Sequence, residues 1–394
     1  MKALHFGAGN IGKGFIGYLL NKTGYDVCFV DVNQKAIDQF NDNNRYLVEI
    51  LDDARKVESI SPVSALNSLT QREEVMERIE NADIITTSVG VSNLSRIADV
   101  ISEGLLRRVK KNKNKLDIIA NENAVNASST LKGEIEKLVS PGEMDEILTL
   151  VGFPNASIDR LALSKESEQA QIAIVEPEYE WVINQKEMAN HKLPMIKGAT
   201  YVEDLKPYIE RKLFVVNMAH VTTAYMGYIH NESTIQSTLK RPEIEQFVRA
   251  IMNETAQYFI RKYNVKQEEM NNYIKKTIIR FKNQNISDNI FRVGRSPIRK
   301  LGYNERLVKP MRELVELGLP SKHLTLAVSA GFIYENPQDE ESVTMQHFIH
   351  KHGIEQAIEH FTGIRDDRIL SILRDNYYNL KEKQREKVSS VLID

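Results

Sequence analysis

Short apolar runs alternate with segments of helical period through the first half of this chain, and the texture changes in the second half. Runs at 2–6, 26–30, 83–88, 116–120, 148–153 and 171–175 have strand length and are bounded by turn-forming residues. Between several of them lie helix-length segments with one apolar face, at 12–21, 34–41, 71–79 and 94–110. Such alternation builds a parallel sheet covered by helices, because neighbouring parallel strands need a crossover to return on. Runs at 46–50 and 56–61 predict a β insertion after the second strand. Beyond about residue 195 long helical patterns dominate, at 208–229, 242–263, 267–281, 307–317, 342–352 and 354–361. The expected fold is α/β in its first domain, 1–194, and mainly helical in its second, 195–394. The boundary is placed near 193–198, where Pro194 and Gly198 break the pattern.

Composition agrees with two domains, since 394 residues at 42% apolar exceed what one ordinary core fills. Charge acts by exclusion. Lys plus Arg (52) nearly balance Asp plus Glu (54), so no global field points to nucleic acid or to an anionic membrane as partner. The single cysteine, Cys28, excludes an internal disulfide and a thiolate metal cluster, and fits a reducing, cytoplasmic setting. The N-terminus is apolar only briefly before its glycines begin, and no run reaches about 18 apolar residues. Neither a signal peptide nor a membrane span is expected.

The first strand runs directly into "GAGNIG", which sets Gly7, Gly9 and Gly12 in G-x-G-x-x-G spacing at the mouth of a helix. Gly7 permits the tight turn, Gly9 lets backbone approach a pyrophosphate, and Gly12 lets helix pack closely on strand. With Ala8, Asn10 and Ile11 these residues form a candidate anion cradle at a helix N-terminus. Asp31 ends the second strand about 20 residues further on, where an acid meets the adenosine ribose 2′-OH. An acid there repels a 2′-phosphate, so the expected cofactor of this Rossmann-type domain is NAD rather than NADP. The ends of two further strands, "TTSVG" and "IANENA", place Ser88, Gly90, Glu122 and Asn123 as candidates for the nicotinamide half; simple loop polarity is the competing reading.

"ERKLFVVNMAHVTTAY" raises a second question, because Lys212, Asn217 and His220 interrupt an otherwise apolar helix. At 100° per residue the three share one side, within about two and a half turns. A desolvated lysine gives up its proton readily and can serve as a base, while an amide and an imidazole can hold a substrate oxygen. Spacing alone leaves open an amphipathic helix in which Lys212 snorkels and His220 sits in the core. No cysteine cluster, H-x-x-x-H or H-E-x-x-H pattern supports a zinc site, so no metal is expected.

K-x-x-x-x-N-x-x-H, together with "MKALHFGAGNIGKGFIG", "VGFPNASIDR" and "FRVGRSPIRKL", resembles the polyol-specific long-chain dehydrogenases over nearly the whole chain. The resemblance implies metal-independent, NAD-linked and reversible oxidation of a sugar-alcohol phosphate, D-mannitol 1-phosphate, to D-fructose 6-phosphate. It assigns the general base to Lys212, polarisation of the reacting oxygen to Asn217 and His220, and a further hold on that oxygen to Asn155. Lys13 stands where the mannitol branch of the family usually has arginine after G-N-I-G, which keeps a charge near the pyrophosphate but loses a planar fork. A substrate phosphate needs its own receptor, and Arg292, Arg295 and Arg299 are the candidates, since arginine pairs bidentately with phosphate oxygens. An unphosphorylated polyol dehydrogenase, a hexuronate reductase of the same superfamily, and a non-catalytic NAD-binding regulator are the alternatives. A monomer or homodimer is expected.

Overall fold

The structure is a computed structural model that describes residues 1–52, 54–111, 114–165 and 170–391. It divides into two compact units, Met1–Ile209 and Glu210–Asp394. The expected boundary near 193–198 falls before Ala199–Val202, which pairs in parallel with Glu180–Asn184 and lies within the first unit.

The first unit is built on a six-stranded sheet. Its order is Val63–Asn67, Asp26–Asp31, Lys2–Phe6, Ile84–Thr87, Leu116–Ala120, Val151–Gly152, and every pairing is parallel. Burial on both faces explains why the central strands read as nearly continuous apolar runs. Register sets the functional edge. Phe6 pairs with Val30 and with Thr87, and Thr87 pairs with Ala120. Gly7, Asp31, Ser88 and Asn121 therefore all leave the sheet from the same carboxyl edge.

Three sequence expectations need correction here. Val63–Asn67, an edge strand with alternating burial, was not anticipated. The strand expected at 148–153 shrinks to Val151–Gly152, because Ser140, Glu143 and Pro141 start a helix by a capping box and that helix runs on to Leu150. The run at 171–175 yields Ile172–Val175, which joins not the main sheet but a four-stranded one with Ala162–Lys165, Tyr46–Ile50 and Val57–Ile60. This side sheet packs on the glycine-rich helix through Ala173 and Val175.

The second unit is helical. Its central helix, Met218–Ile229, is buried along almost its whole circumference, with Val221, Ala224 and Tyr225 essentially inaccessible. Against it pack Pro242–Tyr263, Lys322–Gly331 and the short helices Ile235–Thr238 and Ile290–Gly294, while Gln267–Phe281 and Val308–Glu316 pack on Pro242–Tyr263. Caps and dipole-matched charges mark the ends: Glu243 and Glu245 lie in the first turn of the longest of these, and Arg261 and Lys262 in its last. No helix among the described residues is long and apolar enough to cross a membrane.

Candidate active site

The glycine turn follows from chain geometry. Gly7 has φ +102°, a left-handed value that an L side chain rarely adopts, and its N–H donates to Val30 O at 2.8 Å. A Cβ on Gly12 would stand 1.9 Å from Gly7 O, so only glycine allows the helix this close to the strand. A Cβ on Gly9 would meet nothing within 4 Å. Gly9 is thus not required by packing within the chain. The helix then continues through a π-helical turn, Gly12–Gly17, into Tyr18–Thr23, and its first N–H groups, near Asn10 and Ile11, lack helical acceptors.

Side chains around the turn bond backbone and one another. Asp31 accepts from Ala8 N at 2.7 Å, Val32 N at 2.8 Å and Asn33 N at 3.0 Å, fixing the carboxylate beside the turn. His5, fully buried below it, bonds Thr86 Oγ1 at 2.7 Å through Nδ1 and Ser88 Oγ at 2.9 Å through Nε2. Burial drives its pKa down to about 3, against the opposing pull of the Gly7 backbone and Asp31. Ser88, a candidate for the nicotinamide half, thus has its hydroxyl on His5, with Gly7 O at 3.4 Å. Glu122 is buried and accepts from Thr87 Oγ1 at 2.8 Å, Val89 N at 3.0 Å and Gly90 N at 2.7 Å, so it shapes the loop in which Gly90 has φ +90°. Asn123 is exposed beside it. Lys13 departs from expectation: it is 5% exposed, and its ammonium donates to the Gln171 side chain of the side sheet. Burial lowers its pKa, with Asp31 opposing.

Asn155 is likewise buried, and its amide is committed within the first unit. Nδ2 donates to Ser129 Oγ at 2.8 Å and Glu187 Oε2 at 3.0 Å, and Oδ1 accepts from Ser129 N at 3.1 Å. With both amide hydrogens used, this arrangement leaves only acceptor capacity for a ligand.

In the second unit the signature lies on a deformed helix. Lys206–Arg211 runs into a π-helical turn, Lys212–Asn217, and then into Met218–Ile229. Such turns are uncommon and recur at functional sites. The sequence reading assumed 100° per residue throughout. A turn closed by the Met218 N–H on Leu213 O rotates less per residue and narrows the arc between Lys212 and Asn217. All three side chains are half-buried. Asn217 makes no side-chain hydrogen bond among the described residues, so its amide hydrogens remain for a ligand.

His220 does not stand alone. Its Nε2 lies 2.8 Å from Asp288 Oδ2, and its ring stacks on Phe281 at 4.7 Å between centroids. Burial lowers its pKa, Asp288 pulls the other way, and Arg280 and Arg292 reinforce the lowering. Burial also pushes the Asp288 carboxyl up, but the bonds to His220 and Arg292 outweigh it and the net pKa is lowered. Asp288 lies 68 residues from His220, and nothing local in the sequence marks it as a partner.

That contact also revises the arginine cluster. Arg292 donates through Nε to Asp288 Oδ1 at 2.8 Å, and through Nη2 to the same oxygen. Arg292 and Arg295 line one hollow of about 550 Å³ with Ser296, and Asp339, Glu340 and Glu341 line it too. Asp339 and Glu341 are held by backbone, accepting from Ser296 N at 2.7 Å and Arg299 N at 2.8 Å. Arg295 and Arg299 make no ion pair among the described residues. Lys300, 5% exposed, donates to Val293 O at 2.6 Å and to Arg295 O, bracing the loop between them. Burial lowers its pKa to about 7, assisted by Arg306, Arg299 and Arg295.

Comparison with known proteins agrees along the length of the chain. Residues 1–197 match the mannitol dehydrogenase Rossmann domain, and residues 204–381 the mannitol dehydrogenase C-terminal domain. A mannitol-1-phosphate 5-dehydrogenase of Bacillus licheniformis is 44% identical over 370 residues, 94% of this chain and 97% of its own. A protein of the same name from Bacillus subtilis is 43% identical over 93% of this chain and 96% of its own. Among solved structures, Pseudomonas fluorescens mannitol 2-dehydrogenase, in ternary complex with NAD and D-mannitol, superposes with a TM-score of 0.74 at 16% identity, covering 99% of this chain and 94% of that one. A D-sorbitol dehydrogenase reaches 0.83 at 13%, covering 97% and 93%. At those identities the two structures speak for the fold. The chain belongs to the mannitol dehydrogenase family.

Proposed function

We propose that this protein is an NAD-dependent dehydrogenase that interconverts D-mannitol 1-phosphate and D-fructose 6-phosphate without a metal. The names of its full-length relatives support the substrate. The observation that carries the chemistry is the π-deformed helix bearing Lys212, Asn217 and a His220 oriented by Asp288. Gly7 to Gly12 and Asp31 fit a dinucleotide: the turn leaves open space at Gly9, and the fixed carboxylate suits a ribose hydroxyl better than a phosphate. Bound NAD supplies the hydride acceptor. Lys212 takes the carbinol proton, Asn217 donates to the oxygen, and His220 holds a substrate hydroxyl.

Absorbance at the NADH band with NAD and mannitol 1-phosphate is the direct test. A rate that survives chelator is expected; a large loss with chelator overturns metal independence. The phosphate end is tested by Arg295→Ala. We expect KM for mannitol 1-phosphate to rise about tenfold, the size of one lost charged contact, with KM for NAD unchanged. An equal loss on unphosphorylated mannitol removes Arg295 from that role.

A further inference from the structure

We propose that Asp288 is a positioning residue that holds His220 as its Nε2–H tautomer, so that Nδ1 is a hydrogen-bond acceptor for a substrate hydroxyl and Asn217 is left to donate to the reacting oxygen. This rests on the function proposed above and assigns His220 the opposite polarity from an oxygen-polarising donor.

The anchoring of Asp288 is unusually complete for a residue on a connecting segment. The residue is 6% exposed, its N–H donates to Gln236 Oε1 at 3.0 Å, and its carbonyl accepts from Ile235 N at 2.9 Å. The two carboxylate oxygens then divide their work, Oδ2 toward His220 Nε2 and Oδ1 toward Arg292 Nε and Nη2. A guanidinium keeps its charge at any working pH, so it holds its partner ionised. An ionised carboxylate only accepts, which places the imidazole hydrogen on Nε2. The ring cannot exchange its nitrogens freely, because Phe281 lies against its face at 22°.

The charged groups facing His220 are Asp288, Arg280 and Arg292, drawn from the helix Gln267–Phe281, the segment after it and the helix Ile290–Gly294. Two of the three are cations, and together with burial they resist a second proton on the ring. A neutral ring with its hydrogen on Nε2 has only a lone pair at Nδ1. A polyol offers a hydroxyl donor on every carbon, so such an acceptor has a natural partner. The proton balance is simple: the carbinol proton passes to the Lys212 amine, and His220 carries one hydrogen throughout.

The test begins on the unaltered full-length protein labelled with ¹⁵N-histidine, with the His220 signals assigned through His220→Gln. We expect Nε2 protonated and Nδ1 bare near neutral pH; a Nδ1–H form overturns the proposal whether or not any variant folds. Asp288→Asn removes the obligate acceptor. We expect kcat for oxidation to fall about 10- to 100-fold, as for other groups that orient a functional histidine. KM for NAD should hold, and the acid limb of kcat/KM should move. A wild-type kcat and pH profile in Asp288→Asn would sink the idea. Failure of the underlying function looks different, since Lys212→Met would then also leave the rate intact.

Discussion

At the glycine turn, the groups proposed for a ligand are backbone N–H; Asp31, Ser88 and Glu122 hydrogen-bond the surrounding backbone, and His5 holds the Ser88 hydroxyl in place. On the helix that carries Lys212, Asn217 and His220 the assignment is reversed. There the backbone is sealed in a core of Phe214, Val215 and Met218, and half-buried side chains carry the polarity. A backbone site is specified by where side chains are missing, and glycine spacing writes that into consecutive residues. A side-chain site is specified by what surrounds it in space, and its supports come from distant segments. The two regions should therefore fail differently when altered.

The largest effect is expected at the helix. Lys212→Met should lower kcat for polyol oxidation about 10²- to 10⁴-fold, the usual worth of a positioned base, and flatten the rise of the oxidation rate with pH. NAD affinity, measured by fluorescence titration, should be unchanged because the turn does not depend on this side chain. A rate within threefold of wild type would take the base away from Lys212.

The turn should separate folding from binding between two of its own glycines. In Gly12→Ala the new methyl meets the Gly7 carbonyl at 1.9 Å and His5 Nε2 at 2.7 Å, and a backbone carbonyl cannot step aside. We expect a loss of about 1–3 kcal/mol in urea unfolding, with NAD binding lost as well. Gly9→Ala meets nothing within 4 Å, so its stability should match wild type while KM for NAD rises. An unaltered KM in Gly9→Ala would mean that no ligand approaches the backbone there.

The same contrast explains what the sequence disclosed. The glycines, Asp31 and the strand that joins them fall within the first 31 residues, and the parallel sheet carries its own period, so this region was legible. Lys212, Asn217 and His220 were legible as a spaced triplet, but the π-helical turn beneath them was not, because propensity does not encode an i→i+5 bond. Asp288 was invisible: its pairing with His220 arises only when the segment after Phe281 folds back on the central helix. Arg292 was read as a candidate phosphate ligand, and its commitment to Asp288 is likewise a tertiary fact. Lys13 misled for a related reason. Its place in the motif suggested phosphate, whereas Gln171, supplied by the side sheet, receives its ammonium.

The smallest effect concerns one histidine in each region, His5 and His220, both with lowered pKa. For His5 the folded value of about 3 lies below the ordinary 6.5 of an unfolded chain. Between those values the unfolded state binds the extra proton and the native state does not, so stability falls as pH drops through that window. The slope is at most about 1.4 kcal/mol per pH unit. His5→Asn keeps a neutral side chain able to bond Thr86 and Ser88, and should remove that slope when urea midpoints at pH 4.5, 5.5 and 7 are compared with wild type. His220 has Asp288 to offset its burial, so His220→Gln should remove less. If the two substitutions flatten the profile equally, the carboxylate is not compensating the imidazole, and the contrast between a sealed histidine and a partnered one is lost.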